Sequence, residues 1–372
     1  MCAVASCTNS TSGQCPPKCS GENLSGRSMP GADFGGAALN KARLGRTNLV
    51  DANLFQANLT SADLTEAILD RADLRGANLN GANLKNAWLI GTNLTEADLQ
   101  GANLTGAVMT RVVLRDTKLT AAIMNQTRLI GANLRGVRLA GNQMTGADLR
   151  GADLSGADLT GADLTGARLG GADLRDADLS GATLVGATLD GARMSGLRLS
   201  GADLRGAMLL GSDLRRSDLG GANLQDAGLR GASMDNAILT RAVLANASLG
   251  GTVLSGAILD EAVLNGVAKT GTGDVLLTAR LGGAFLSRTR WTGADIAGAF
   301  MTGVDLSSAD LQSAIFAKTV DINGTPTDLV VNITAPKVNE RTRLPPGLEA
   351  AVLQQAQEPT DATMKTVAKP PG

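Results

Sequence analysis

The sequence predicts an all-β solenoid, a β-helix in which very short strands alternate with corners. Three observations lead to this fold class. Leu, Met or Phe stands at every fifth position from Leu24 to Leu264, which gives 49 consecutive units. The residue two positions earlier is usually Ala, and a polar residue followed by Gly often comes after. A period of five fits neither a 3.6-residue helix nor the alternation of a long strand.

Each five-residue unit suits one short strand and one corner. Strand side chains alternate, so the Leu and the residue two before it are predicted to point inward, and the residue between them outward. Gly tolerates the positive φ that tight corners need. With four corners to a coil, residues 20 apart stack at about 4.8 Å. A large Leu beside a small Ala then fills the axis without a void.

The unit Ala152-Asp153-Leu154-Ser155-Gly156 resembles the A-[D/N]-L-x-x signature of the pentapeptide-repeat family. The resemblance covers about two thirds of the chain without an insertion. It implies a right-handed quadrilateral β-helix, and both the four-sided section and the hand are taken from it. The units from Leu24 to Leu264 then make about 12 coils and run about 58 Å.

The repeat divides the chain into six segments. The step from Leu264 to Leu281 is 17 residues, so the register breaks there, and eight further units, about two coils, come after it. Open β-helix ends expose backbone and leucine, so a covering segment is expected after the last unit. The segments are a Cys-containing arm or cap (1–21), the main β-helix (22–266), a loop excursion (267–278), a second repeat block (279–316), a C-terminal cap with an edge strand over 329–334 and a short helix after Pro346 (317–357), and a disordered tail (358–372).

The N-terminal arm contains all four cysteines, Cys2, Cys7, Cys15 and Cys19. Their spacing lacks the paired CxxC knuckles of zinc sites, so no metal is predicted. Val4-Ala5-Ser6-Cys7 resembles the end of a bacterial lipoprotein signal. The third interpretation is an irregular cap with free or paired thiols. We expect a cytoplasmic protein, with a lipid-anchored or exported one as the alternative if the true start lies upstream of Cys7.

Composition argues against catalysis. The chain has no His and no Tyr, which removes Ser-His-Asp and Cys-His mechanisms and HExxH zinc chemistry. The stretch KTGTGD lacks the GK[ST] of a phosphate loop. The apolar runs are too short to cross a bilayer. We therefore predict a protein that is not an enzyme, binds no cofactor and has no membrane span.

Charge is banded along the predicted rod. Residues 111–138 carry six basic side chains and one Asp, whereas residues 139–190 carry eight Asp and three Arg. From Asp148 to Asp163, every unit of one coil has an outward Asp. Interspersed charge is also normal for a solvated surface. The candidate partner-binding carboxylates are Asp148, Asp153, Asp158, Asp163, Asp173 and Asp178.

Two groups of outward apolar residues are candidate contacts. Ile68, Trp88 and Val108 are 20 residues apart and are predicted to form one column, and a contiguous apolar stripe often marks an interface. An N-terminal segment folded over this stripe is the alternative. A second group crowds the last coils before the register break and is a candidate dimer contact, or a surface covered by the excursion: Ile238, Val243, Val253, Ile258 and Val263.

These features predict a rod that acts through protein contacts. Some members of the family that the chain resembles protect DNA gyrase with a rod shaped and charged like B-DNA. Duplex DNA carries about one charge per 1.7 Å, or about 34 over 58 Å. Residues 22–267 carry 25 acids and 23 bases, so any DNA mimicry is partial. The sequence thus predicts an interaction rod that binds DNA gyrase or another topoisomerase and not nucleic acid itself; the alternative is a structural scaffold or envelope module.

Overall fold

The computed structural model describes most of the repeat region. The described residues are 18–270, 273–281, 284–297, 299–302, 304–315, 317–322, 325–330, 332–334, 336, 338 and 341–344. Cys2, Cys7 and Cys15, the predicted helix after Pro346 and the predicted tail lie outside them.

The backbone is a stack of parallel bridges between residues 20 apart, which runs from the Lys18–Ala38 pair to the Val243–Val263 pair. Three kinds of amide join successive coils. The Leu amide, the corner amide and the outward-residue amide each donate to the neighbouring coil, as in Leu154 N to Asp173 O (2.7 Å), Gly156 N to Arg175 O (2.9 Å) and Asp173 N to Ala152 O (2.9 Å). Four units therefore close one coil.

The core is the predicted Leu and Ala lining. Leu154 is 0% exposed and Ala152 1%, and the same pattern holds along the axis. The inward positions predicted from the period are thus confirmed. Where Thr replaces Ala, its hydroxyl bonds to a carbonyl, as Thr92 Oγ1 does to Leu69 O at 2.8 Å. Cys19 is buried at the N-terminal end of this core and is disulfide-bonded.

The corners are left-handed whether or not they contain glycine. Gly156 has φ 64°, and Arg71 and Asp176, at equivalent corners, have φ 58° and 56°. Gly adopts this conformation without strain, whereas other residues do so at some cost. The inter-coil hydrogen bond of each corner amide holds the conformation, which is why the fifth position of the unit varies in sequence.

A β-hairpin stands where the sequence predicts a loop. β1 (Asn265–Thr270) pairs antiparallel with β2 (Gly273–Thr278). Beyond it, Ser248 bridges to Arg280, a spacing of 32 residues instead of 20. The hairpin is therefore a 12-residue insertion, after which the outward columns resume in place. The 17-residue step from Leu264 to Leu281 is one unit plus this insertion.

A second hairpin lies in the region predicted to be a cap. β4 (Ala317–Ile322) pairs antiparallel with β5 (Thr325–Val330). β6 (Asn332–Thr334) then pairs parallel with β3 (Phe300–Thr302), again at a spacing of 32. The predicted single edge strand over 329–334 is thus wrong, because this stretch is shared between the hairpin and a strand that continues the coil. The Asp310–Arg343 bridge extends the stack further.

Candidate functional site

The outward Asp or Asn of each unit has a structural duty. One of its side-chain oxygens accepts the amide of the residue two positions on, which is an Asx turn that stabilises the corner. Asp153 accepts the Ser155 amide at 3.0 Å, and Asp158 accepts the Thr160 amide at 3.1 Å. A carboxylate at this position is therefore explained by the fold before any partner is considered.

The first predicted contact residue, Asp148, is largely neutralised. Arg150 donates two hydrogen bonds of 2.7 Å to its two oxygens, and Arg168 approaches to 3.7 Å. Asp148 is only 9% exposed. The hydrogen-bonded Arg150 guanidinium lowers the pKa of Asp148 below its ordinary value of 3.8. This carboxylate is poorly placed to meet a partner.

Asp173 and Asp178, one coil further, are also paired with arginine. Arg175 donates two hydrogen bonds to Asp173, at 2.8 and 2.7 Å, and lowers its pKa. Arg193 reaches the same carboxylate at 3.1 Å. Arg198 lies 3.1 Å from Asp178. Burial acts to raise the pKa of Asp178, but its hydrogen bonds outweigh burial and the pKa is lowered.

Asp153, Asp158 and Asp163 differ from these, since none of them forms an ion pair with any residue that the structure describes. Asp163 bonds to the Thr165 amide at 3.0 Å and to the Thr145 hydroxyl at 3.0 Å, and its pKa is lowered chiefly by the Thr165 side chain. The three carboxylates lie on three successive faces of one coil. The acidic band therefore presents one ring of three unpaired charges.

The predicted apolar column is continuous. Ile68 bridges to Trp88 and Trp88 to Val108, with Asn48 and Arg128 as the next members of the same column. Trp88 is 48% exposed, while Ile68 and Val108 are half-buried. The stacked backbone holds the three side chains side by side on one face. We call this set the Trp88 column.

Sequence reasoning missed other exposed apolar side chains. Met208 occupies the same column as Trp88, six coils further along, and is also 48% exposed; Leu210 beside it is 58% exposed. Phe55 is 40% exposed, and the Arg75 guanidinium lies 5.4 Å from its ring centroid. Each stands at an outward place of its unit, so reading the columns by residue type would have found them.

The candidate dimer residues lie on three faces and not on one. Ile238 bridges to Ile258, and Val243 to Val263, in two separate columns. Val253 belongs to a third column, in which the 50%-exposed Phe285 comes next. Ile238 is 40% exposed, whereas the other four members of the group are half-buried.

Two searches of the described residues for other kinds of site were negative. No group of three or more Cys, Asp or Glu there is arranged to hold a metal ion. Among the same residues, no helix is long and apolar enough to span a bilayer.

Comparison with known proteins defines the class. The pentapeptide repeats family matches the chain in eight copies, at residues 19–56, 57–95, 89–126, 124–156, 157–196, 198–236, 237–268 and 279–316. The chain therefore belongs to the pentapeptide repeat family, and its fold is the right-handed quadrilateral β-helix of that family.

Solved structures that resemble the chain belong to several functional settings. HetL, involved in heterocyst differentiation regulation in Nostoc sp. strain PCC 7120, is 35% identical, over 60% of this chain and 92% of HetL, with a TM-score of 0.47. A pentapeptide repeat protein from the Arabidopsis thaliana thylakoid lumen is 40% identical over 27% of this chain and 69% of its own, with a TM-score of 0.26. QnrB1, a plasmid-mediated fluoroquinolone resistance protein, is 18% identical over 62% of this chain and 97% of its own, with a TM-score of 0.39. A search of curated proteins finds no match.

Proposed function

We propose that this chain is a non-catalytic interaction rod that binds a protein partner through the Trp88 column. The observation that carries the proposal is the exposure of Trp88 between two stacked apolar side chains on one face. Trp is among the residues most favoured at the energetic centre of interfaces, and burial of a contiguous apolar stripe is favourable. Asn48 and Arg128, at the two ends of the column, would supply a polar rim.

The charges support a contact of this kind more than one based on acidity alone. A DNA-like rod needs unpaired acid along much of its length. Asp148, Asp173 and Asp178 instead meet arginines, and the unpaired carboxylates of the band lie in a single coil. The chain also lacks His and Tyr, so the usual general acid–base side chain is missing.

The test compares Trp88→Glu with Met208→Glu, a matched control at the same column. Both variants add one charge at a side chain that is 48% exposed. Tagged wild-type protein and both variants are used for affinity capture with quantitative mass spectrometry. The proposal predicts that specific partners are lost with Trp88→Glu and kept with Met208→Glu. Equal recovery with all three proteins would contradict it.

Binding of DNA gyrase or another topoisomerase by partial DNA mimicry is the second candidate. One observation favours it: Asp153, Asp158 and Asp163 are unpaired within one coil. Three charges over a rise of about 4.8 Å give roughly one per 1.6 Å, close to the density of duplex DNA. This density holds for that coil alone.

A gyrase supercoiling assay with and without a quinolone tests the second candidate. The wild-type chain should inhibit supercoiling or protect the enzyme from the drug, because the acidic ring occupies the DNA site. The triple variant Asp153→Asn, Asp158→Asn, Asp163→Asn keeps the Asx-turn acceptors and should lose the effect. No effect of the wild-type chain at a large molar excess would sink this candidate.

A homodimer contact at the last coils before the first hairpin is a further part of the proposal. Ile238 and Ile258 stack in one column, and Ile238 is 40% exposed. A glutamate at Ile258 would place a charge in that contact and should shift the sedimentation coefficient from dimer to monomer. The same substitution at Thr188, a half-buried outward residue in the middle of the rod, is the control. A wild-type chain that sediments as a monomer at all concentrations would contradict the dimer.

The disulfide at Cys19 bears on localisation. Disulfides persist in oxidising compartments and are rare in the cytosol. The bonded Cys19 therefore supports the exported alternative over the cytoplasmic one. Intact-mass analysis after alkylation without reductant tests this: a native protein in which all four cysteines are alkylated would favour the cytoplasm.

A further inference from the structure

The ladder of inter-coil hydrogen bonds has one interruption. Between Leu24 and Leu244, amides of the three ladder kinds that face a described coil all donate to it, with six exceptions. The six lie together where residues 114–122 meet residues 133–143, a contact that we call the seam. The Lys118–Arg138 bridge, expected at the usual spacing of 20, is also missing. The unbonded amides are those of Leu114, Asp116, Leu119, Ala121, Arg138 and Gln143.

The seam has a steric cause. Thr117 and Val137 occupy successive Ala positions of one column, and both are buried. The amides on the outer sides of this pair still bond, as in Lys118 N to Ala97 O at 2.9 Å and Asp158 N to Val137 O at 3.1 Å. Only the contact between the two large residues is open. Interiors are close-packed, so extra methyl groups in adjacent Ala-sized places force the coils apart.

Leu197 provides an internal comparison. This larger side chain also occupies an Ala position and is fully buried. It lies between Ala177 and Ser217, and the bonds on both sides are intact, with Arg198 N to Ala177 O at 3.1 Å and Asp218 N to Leu197 O at 2.9 Å. One large residue between small ones is accommodated. Two in succession open the stack.

The open seam forms a cleft with a positive lining. Its volume is about 510 Å³, and its charged lining residues are Lys118, Arg135, Arg138 and Asp116. Asp116 lies 3.5 Å from Arg115, outside the lining, and Lys118 is 3.9 Å from Asp98. Arg135 and Arg138 form no ion pair with any described residue. The cleft thus combines free guanidinium groups with unbonded backbone amides.

Buried Asn142 adds an unsatisfied group beside the seam. It is 1% exposed and occupies an Ala position directly above Ala122. Its Nδ2 donates to Leu119 O at 2.9 Å, whereas its Oδ1 has no hydrogen-bond partner. Buried polar groups are nearly always bonded, so an unsatisfied one indicates a place for a ligand or a bound water.

We propose that the seam is a binding site for a small molecule that carries two or more negative charges on phosphate or carboxylate oxygens. Backbone amides and arginine guanidinium groups are the donors that proteins use for such oxyanions. The two unpaired arginines balance a dianion, and the cleft volume is in the range of small-ligand sites. No other place in the described ladder offers both kinds of donor.

The decisive experiment closes the seam without changing any charge. The double variant Thr117→Ala, Val137→Ala restores the consensus residue at both places. Isothermal titration of the full chain with pyrophosphate, at fixed ionic strength, should show one saturable site in the wild type and at least tenfold weaker binding in this variant. Hydrogen exchange at Leu119 should be fast in the free wild type, and slow in the variant and in the pyrophosphate complex. A parallel titration with citrate distinguishes phosphate from carboxylate recognition.

Charge variants supply the control. Arg135→Ala, Arg138→Ala removes the two unpaired cations and should also weaken binding at least tenfold. Arg111→Ala, Arg128→Ala removes two cations of the same basic band that do not line the cleft, and should bind as the wild type does. Equal binding by the closed variant would show that surface charge alone is responsible and would overturn the proposal. Absence of saturable binding by the wild type would overturn it as well.

Discussion

At the scale of single residues, one outward aspartate serves both the corner and the surface. The turn needs only one side-chain oxygen, as the Asn133–Arg135 turn shows with a neutral acceptor at 3.2 Å. The residue after the Leu decides whether the second oxygen is paired. Arg in that place closes onto the aspartate, as Arg150 does onto Asp148, whereas Ser in Asp153-Leu154-Ser155 leaves the charge unpaired.

The Asp148–Arg150 pair predicts how stability depends on pH. The pKa of folded Asp148 lies below 3.8, so its contribution to stability is present above the pKa of the unfolded chain and is lost as pH falls through the folded pKa. Asp148→Asn should therefore lose less stability than the wild type between pH 6 and pH 2. Denaturant midpoints at a series of pH values give the measurement.

Asn133→Ala is the control for this prediction. It removes a turn acceptor that does not titrate, so it should lower the midpoint by a similar amount at every pH. The prediction fails if the curves of Asp148→Asn and the wild type are parallel over the acid range.

At the scale of elements, the two hairpins are copies of one device. The Asn265–Thr278 and Ala317–Val330 pairings have the same length and register, 52 residues apart. That distance equals one coil of 20 residues plus one spacing of 32, so both hairpins leave the same corner on successive coils. β2 and β4 are in contact. The pair therefore forms one lateral projection near the C-terminal end of the described stack.

Excision of residues 267–278 should leave a continuous rod. The deletion joins Gly266 to Ala279 and creates the unit Ala279-Arg280-Leu281 five residues after Leu264, which is the repeat itself. Because the flanking coils already stack in phase, the shortened chain should fold with at least the wild-type thermal midpoint. Circular dichroism melting gives the comparison.

Excision of residues 268–278 is the control for this prediction. It leaves one extra residue, shifts the next Leu and Ala out of phase, and should lower the midpoint. Equal melting of the two deletions would show that the phase of the columns does not matter for stability.

The difference between sequence and structure also belongs to this scale. Period, inward residues and outward columns can be read from Leu24 to Leu264, because one local rule repeats without interruption. The hairpins were not predicted, since the 17-residue step fits a loop as well as a hairpin. The return of the coil was missed because its signature, Val331-Asn332-Ile333, is a single atypical unit. Arginine pairing at Asp148 was predictable in principle from Asp-Leu-Arg within one unit.

At the scale of the whole molecule, the rod divides into functional regions along its axis. The Trp88 column spans the coils around residues 68–108, the seam comes next at 114–143, and the ring of unpaired aspartates lies just beyond it. The nearly balanced charge of the chain, −1 in all, makes a general electrostatic attraction to any one partner weak. Specific binding must therefore come from local features, and the Trp88 column is the largest apolar one among the predicted contacts.

The fluorescence of Trp88 tests this central claim most directly. The chain has two tryptophans, and Trp291 is fully buried, so Trp291→Phe leaves Trp88 as the single reporter. In the free protein this indole should be readily quenched by acrylamide. Once a captured partner is added to saturation, the account predicts a blue-shifted emission and at least a severalfold drop in the quenching constant. A saturated complex in which Trp88 is quenched as readily as in the free protein would contradict the claim.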